Sequence, residues 1–177
     1  MVFVLDEYLL AITFLVSFGI NLIFYVFAAG FKMDKLTDIT YSMSFAALAI
    51  LAFCLPGTYH VRQIAMLVAV LLWAARIGGY LLYRIMKIGH DKRFDAYRGS
   101  WWRFGIFWLF QAIVVWLTFL PSCLLFAELG NPPYEWRDAL GYTLFVIGLV
   151  IEAIADQQKF AFRNKKANDG RWTDVGL

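Results

Sequence analysis

Five stretches of this sequence, near residues 8–29, 39–55, 63–86, 104–126 and 139–158, are apolar over about the length that a helix needs to cross a bilayer. About 20 residues at ~1.5 Å rise span the hydrocarbon layer. No water reaches that layer, so each backbone N–H and C=O must be bonded within its own segment, and an isolated apolar run of this length has to be α-helical. The pattern therefore predicts an all-α, polytopic membrane helix bundle with about five transmembrane helices, the run at 39–55 being the shortest. Composition agrees: 62% of residues are hydrophobic and 16% charged, against about half and a quarter in soluble domains. No basic segment precedes the first run and no small-residue cleavage site follows it, so it reads as a span and not as a secretory signal.

Four connectors separate the runs: "KMDKLTD", "PGTYHVRQ", "KIGHDKRFDAYRGSWWR" and "ELGNPPYEWRD". The second and fourth carry proline, which stops a helix. No repeat, low-complexity tract or composition shift divides the chain, so residues 1–177 are expected to form a single transmembrane domain. With five spans, the first connector, the third connector and the C-terminal tail share one side. Twelve Lys and Arg fall on that side, against Arg62 and Arg137 on the other. The positive-inside rule then puts the N-terminus in the lumen or exterior and the C-terminus in the cytosol. The expected location is the endoplasmic reticulum in a eukaryote or the inner membrane in a bacterium. Expected partners are membrane lipids and a lipophilic small molecule, not nucleic acid. Cys54 and Cys123 both fall toward the outward ends of their spans. They read as unpaired apolar thiols, with a disulfide as the alternative.

Polar residues inside the spans carry the functional signal. Counted at ~1.5 Å per residue from the outer ends, Asn21, Ser44, Arg76, Gln111 and Glu152 fall in one layer, nearer the cytosol. Polar groups in a membrane pair with one another or line a wet cavity. Interhelical hydrogen bonding accounts for Asn21 and Ser44 as readily as a cavity does. Arg76 and Glu152 point to a cavity, because a buried ion pair adds little stability by itself. Glu152, Asp156, Lys159 and Arg163 recur at i, i+4, i+7 and i+11, on one helical face. Arg76, Tyr80 and Arg84 repeat every four residues on another, with Gly78 and Gly79 between them, where a backbone or a ligand can approach closely. In "HDKRFDAYRGSWWR", Arg93 and Asp95 are expected to close over a ligand, while Trp101 and Trp102 suit headgroup depth. Arginines bind phosphates bidentately, so the pattern suits an anionic, phosphate-bearing cytosolic ligand. No G-x-G-x-x-G or Walker loop is present. His60 and His90 have no second ligand at a metal-binding spacing.

The segments "WAARIGGYLLYRIMKIGHDKRFDAYR" (73–98) and "GLVIEAIADQQKFAFR" (148–163) resemble the steroid 5-alpha-reductase-related membrane proteins. The likeness spans roughly residues 35–177, and it is greatest to their uncharacterised branch, whose members carry the steroid 5-alpha-reductase C-terminal domain. The resemblance implies an NADPH-dependent reductase of a conjugated C=C bond in a lipid-like, steroid- or fatty-acyl-like substrate. By motif position, Asp156 and Arg163 match the family's acidic and basic cofactor contacts, Arg171 keeps its spacing after Arg163, and Arg76 matches the arginine of the earlier helix. With Arg84, Arg93, Asp95, Glu152 and Lys159 these form the expected NADPH-binding set. Glu152 stands where steroid-active members often have Asn, the early-helix Gln-Glu pair is missing, and Trp73 takes a tyrosine's place. Tyr80 and Tyr83 are then the candidate proton donors. Family members continue past a "GRWTDVGL"-like segment into an R-H-P-N-Y-F-G-E-like stretch and further helices, so residues 1–177 are expected to be an incomplete version of a longer domain. Two alternatives stay open: an S-adenosylmethionine-dependent membrane methyltransferase of the isoprenylcysteine or phospholipid type, and a non-catalytic membrane bundle.

Overall fold

A computed structural model of the chain describes residues 2–31, 35–88, 100–165, 168, 171–173 and 176. These residues form five helices and no strand: α1 (Val2–Phe31), α2 (Lys35–Cys54), α3 (Val61–Ile88), α4 (Trp101–Ala127) and α5 (Trp136–Arg163). Each is long and apolar enough to cross a membrane. The all-α, five-span architecture expected from the apolar runs is what the chain adopts.

The helices overrun the apolar runs because hydrophobicity marks the hydrocarbon layer, whereas a helix ends where its free backbone groups find other partners. At the start of α4 the Ser100 side chain accepts from the Arg103 N–H at 3.4 Å. At the start of α5, Glu135 and Asp138 form a reciprocal capping box, and the Glu135 N–H donates to Asp138 Oδ2 at 2.7 Å. Both caps sit in polar connectors, several residues before the apolar pattern begins.

The chain divides into two compact units, residues 1–131 and 132–177. In the first, α1 lies along α4 and α2 along α3, and α2 also touches α1 and α4. This makes α2 the innermost helix: 44% of its span is buried, against 17–28% for α1, α3 and α4. Its place explains its sequence. A helix shielded from lipid by its neighbours can be shorter and less apolar, and α2 buries Thr37, Thr40, Ser42 and Ser44 among Phe45, Leu48, Ala49 and Ala52. Small residues let backbones approach, and in a membrane close packing replaces the hydrophobic effect as the source of association.

The main core gathers Leu9 of α1, Phe45 to Ala52 of α2, Ala74 of α3, and Val115, Phe119, Cys123 and Phe126 of α4. Phe45 and Trp73 meet edge-to-face at 5.0 Å. A smaller cluster of Ala28, Phe104 and Trp108 packs α1 against the start of α4. Between α2 and α3, the turn carries Gly57 and Tyr59 in the left-handed region (φ 68 and 52). Gln63, 2% exposed, holds this turn. Its amide donates to the Phe126 and Glu128 carbonyls, both at 3.0 Å, and accepts from Thr58 Oγ1 at 2.8 Å and the His60 N–H at 3.0 Å. One side chain thus ties the start of α3 to the end of α4.

Neither cysteine is in a disulfide: Cys54 is exposed, and Cys123 is buried with its sulfur 3.7 Å from Thr13 Oγ1. The second unit consists of α5 and the segment after it. Every residue of α5 keeps some exposure within that unit. The segment turns at Asn168, whose amide donates to the Phe162 carbonyl at 2.9 Å, and the Arg171 N–H donates to the Asn168 carbonyl at 3.0 Å. Gly176 (φ 103) then lies against Gln158 so closely that a Cβ there would strike its amide.

Candidate functional site

The polar residues of the first unit fall into two sets. Asn21, Ser44 and Gln111 join α1, α2 and α4 into one hydrogen-bonded layer. Gln111 Nε2 donates to Asn21 Oδ1 at 3.1 Å and to the Thr37 carbonyl at 3.3 Å. Asn21 Nδ2 donates to the Ser17 carbonyl at 2.9 Å and reaches Ser44 Oγ at 3.5 Å. Ser17 Oγ donates to the Ala112 carbonyl at 3.0 Å. Interhelical bonding therefore accounts for these three residues.

The second set lies on α3. The Arg76 guanidinium stands over the Tyr80 ring, 5.7 Å from its centroid, and both side chains are half-buried. The ring quadrupole attracts a cation held over its face, more strongly where water is excluded. Tyr83 is exposed, with Lys87 Nζ 5.9 Å from its ring. Of the two candidate proton donors, Tyr80 stands beside Arg76.

One turn on, Arg84 Nη2 donates to Asp38 Oδ2 at 2.6 Å, from α3 across to the first turn of α2. The sequence pattern does not single out this carboxylate as a partner, although it carries a signal for it. Helices joined by a short turn run antiparallel, so the start of α2 and the end of α3 meet at the same end of the bundle. Gly78 also has a definite role: a Cβ there would meet Ser42 Oγ at 2.5 Å, so its missing side chain serves the contact between α2 and α3. Gly79 has nothing within 4 Å of where a Cβ would stand.

In the second unit, α5 runs unbroken from Trp136 to Arg163 and carries the expected charged stripe in register. Glu152 and Asp156 are half-buried, while Lys159 and Arg163 are exposed. Arg171 is exposed in the returning segment. Arg76, Tyr80, Tyr83 and Arg84 thus belong to the first unit, and Glu152, Asp156, Lys159, Arg163 and Arg171 to the second. Arg93 and Asp95 lie outside the described residues. His60 Nε2 is 3.2 Å from the Leu129 carbonyl. Among the described residues no group of three His, Cys, Asp or Glu is placed to hold a metal ion.

A family model described as a protein of unknown function, DUF1295, matches residues 24–177. The chain belongs to the DUF1295 family. These are membrane proteins related to steroid 5-alpha-reductase. The DUF1295 match takes in both charged faces, from Arg76 on α3 to Arg171 beyond α5. No curated protein and no solved structure matches the chain.

Proposed function

We propose that this DUF1295 protein takes part in NADPH-dependent reduction of a conjugated C=C bond in a lipid-like substrate, steroid- or fatty-acyl-like in shape. The observation that carries the reading is the stripe on α5. Two half-buried carboxylates stand at the apolar part of the helix and two exposed bases follow at its polar end. The donor set suits such a cofactor: carboxylates accept from ribose hydroxyls or a carboxamide, and guanidinium and ammonium groups neutralise phosphates. When bound, NADPH would supply a hydride to the carbon β to the substrate carbonyl.

The chain's own residues bind, orient and supply the proton. Glu152 and Asp156 accept hydrogen bonds from the uncharged part of the nucleotide, and Lys159, Arg163 and Arg171 meet its phosphates. Arg76 adds positive charge on α3. Tyr80, under that guanidinium, donates a hydrogen bond to the substrate carbonyl oxygen and so favours the charge that develops there. Arg93 and Asp95 are further cofactor contacts in this reading, and Tyr83 is the second candidate donor.

The deciding experiment is NADPH binding by the purified protein in detergent, followed by fluorescence or thermal shift, beside an Asp156→Ala, Arg163→Ala double variant. Saturable binding that weakens at least tenfold in the variant is expected. Binding that the double variant leaves unchanged would overturn the assignment of α5, and saturable binding of S-adenosylmethionine in place of NADPH would support the methyltransferase class instead.

A further inference from the structure

Between α1 and α4 of the first unit lies an open cavity of about 570 Å³. It runs from Leu15 to Tyr25 on α1 and from Trp102 to Ala112 on α4. Ten residues of helix correspond to ~15 Å, about half the ~30 Å hydrocarbon thickness, so the cavity has the depth of a single leaflet. Spread over that length, 570 Å³ gives a mean cross-section of roughly 40 Å². That is room for a flexible hydrocarbon chain lying along the two helices. Its volume is within the ~300–1,000 Å³ range usual for small-molecule sites.

The lining asks for hydrocarbon. Leu15, Phe18, Leu22, Ile106 and Leu109 form most of the wall. The one amide in it, Asn21, is already bonded to Ser17, Ser44 and Gln111. Gly19 makes the space: nothing stands within 4 Å of where its Cβ would be, so any side chain there would project into the cavity instead of into a neighbour. Charge sets the other end of the ligand. The cavity ends at the first turn of α4, where Trp102 lines it and Arg103 follows. The positive pole of a helix favours an anion, and an exposed arginine on the same turn adds to it.

We propose that this cavity binds one single-chain anionic lipid, of the fatty-acid carboxylate type. The chain lies along Gly19 and Leu109, and the acid group rests at the first turn of α4 beside Arg103. The inference does not depend on the reductase reading, because none of the proposed NADPH contacts lines the cavity.

The test is titration of the full chain, in lipid nanodiscs of uncharged lipid, with a fluorescent polyene fatty acid and with the alcohol of the same chain. Trp102 and Trp108 line the cavity and transfer energy to a seated polyene. The acid should bind saturably, one per chain, and at least fivefold more tightly than the alcohol. Gly19→Phe should lose saturable binding. Gly79→Phe, which fills an equally open position on α3, should keep it. Arg103→Gln should weaken the acid to the level of the alcohol. Gly19→Leu serves as a second plug should the phenylalanine variant unfold. Equal binding by wild type and both Gly19 variants would overturn the site, and equal binding of acid and alcohol by wild type would overturn the anionic ligand.

Discussion

Gly78 and Asp38 fix how α2 meets α3, and both act through a single contact. At Gly78 a methyl group would stand 2.5 Å from Ser42 Oγ and 3.0 Å from its Cβ. Ser42 is itself buried and bonded to the Ile39 carbonyl at 3.0 Å, so it cannot swing aside without losing that bond. Gly78→Val should therefore destabilise the protein by about 1–3 kcal/mol through overpacking. Thermal unfolding in detergent measures the loss, and a Ser42→Gly partner should recover part of it. At the other contact, Arg84 and Asp38 are each about a fifth exposed (21% and 19%). Partial exposure discounts the pair, and Asp38→Ala should cost about 1–2 kcal/mol. The reversed pair, Asp38→Arg with Arg84→Asp, separates structure from ligand binding. It should regain most of the thermal stability; if Arg84 also meets a phosphate, NADPH affinity stays low in the reversed protein.

Elements are more legible in the sequence than the contacts between them. The five apolar runs mark the helices, because length and hydrophobicity alone decide what can cross a bilayer. They do not show that the weakest run is the innermost helix, since hydropathy records contact with lipid and not depth within a bundle. The charged stripe on α5 follows from the helical period alone, because spacings of four, three and four residues keep a single face. Arg84 can be placed on its face in the same way, but its carboxylate cannot, because that partner lies 46 positions away in sequence. Gln63 is obscured for the same reason. It reads as one polar residue in a connector, yet it bonds α4 and the α2–α3 turn at once. Gln63→Ala leaves the Phe126 and Glu128 carbonyls short of a donor and should cost about 2–3 kcal/mol. Gln63→Glu should be no better: a carboxylate can still accept from Thr58 and His60 but faces two carbonyls as an acceptor. Amide hydrogen exchange at residues 58–63 should rise in both variants. Unchanged protection there would mean that the turn holds without this clamp.

Charge is distributed between the two ends of the first unit in a way that bears on how the whole chain sits in its membrane. Arg84, Lys87 and Arg103 lie at the end where α3 finishes and α4 begins, while Arg62 stands at the opposite end. The positive-inside rule predicts that the richer end faces the cytosol. The two cysteines report the orientation without any added probe. Cys54 is the last residue of α2, exposed, at the basic-poor end beside the Leu55–Gly57 turn. Cys123 lies toward the same end on α4, but it is 1% exposed and packed against Thr13. They differ in burial far more than in level. A thiol reagent that cannot cross membranes, applied to intact cells or sealed vesicles of known sidedness, should therefore label one site per chain from the non-cytosolic side. Cys54→Ser should abolish that labelling, and Cys123 should react only after denaturation. Labelling of Cys54 solely from the cytosolic side would reverse the orientation.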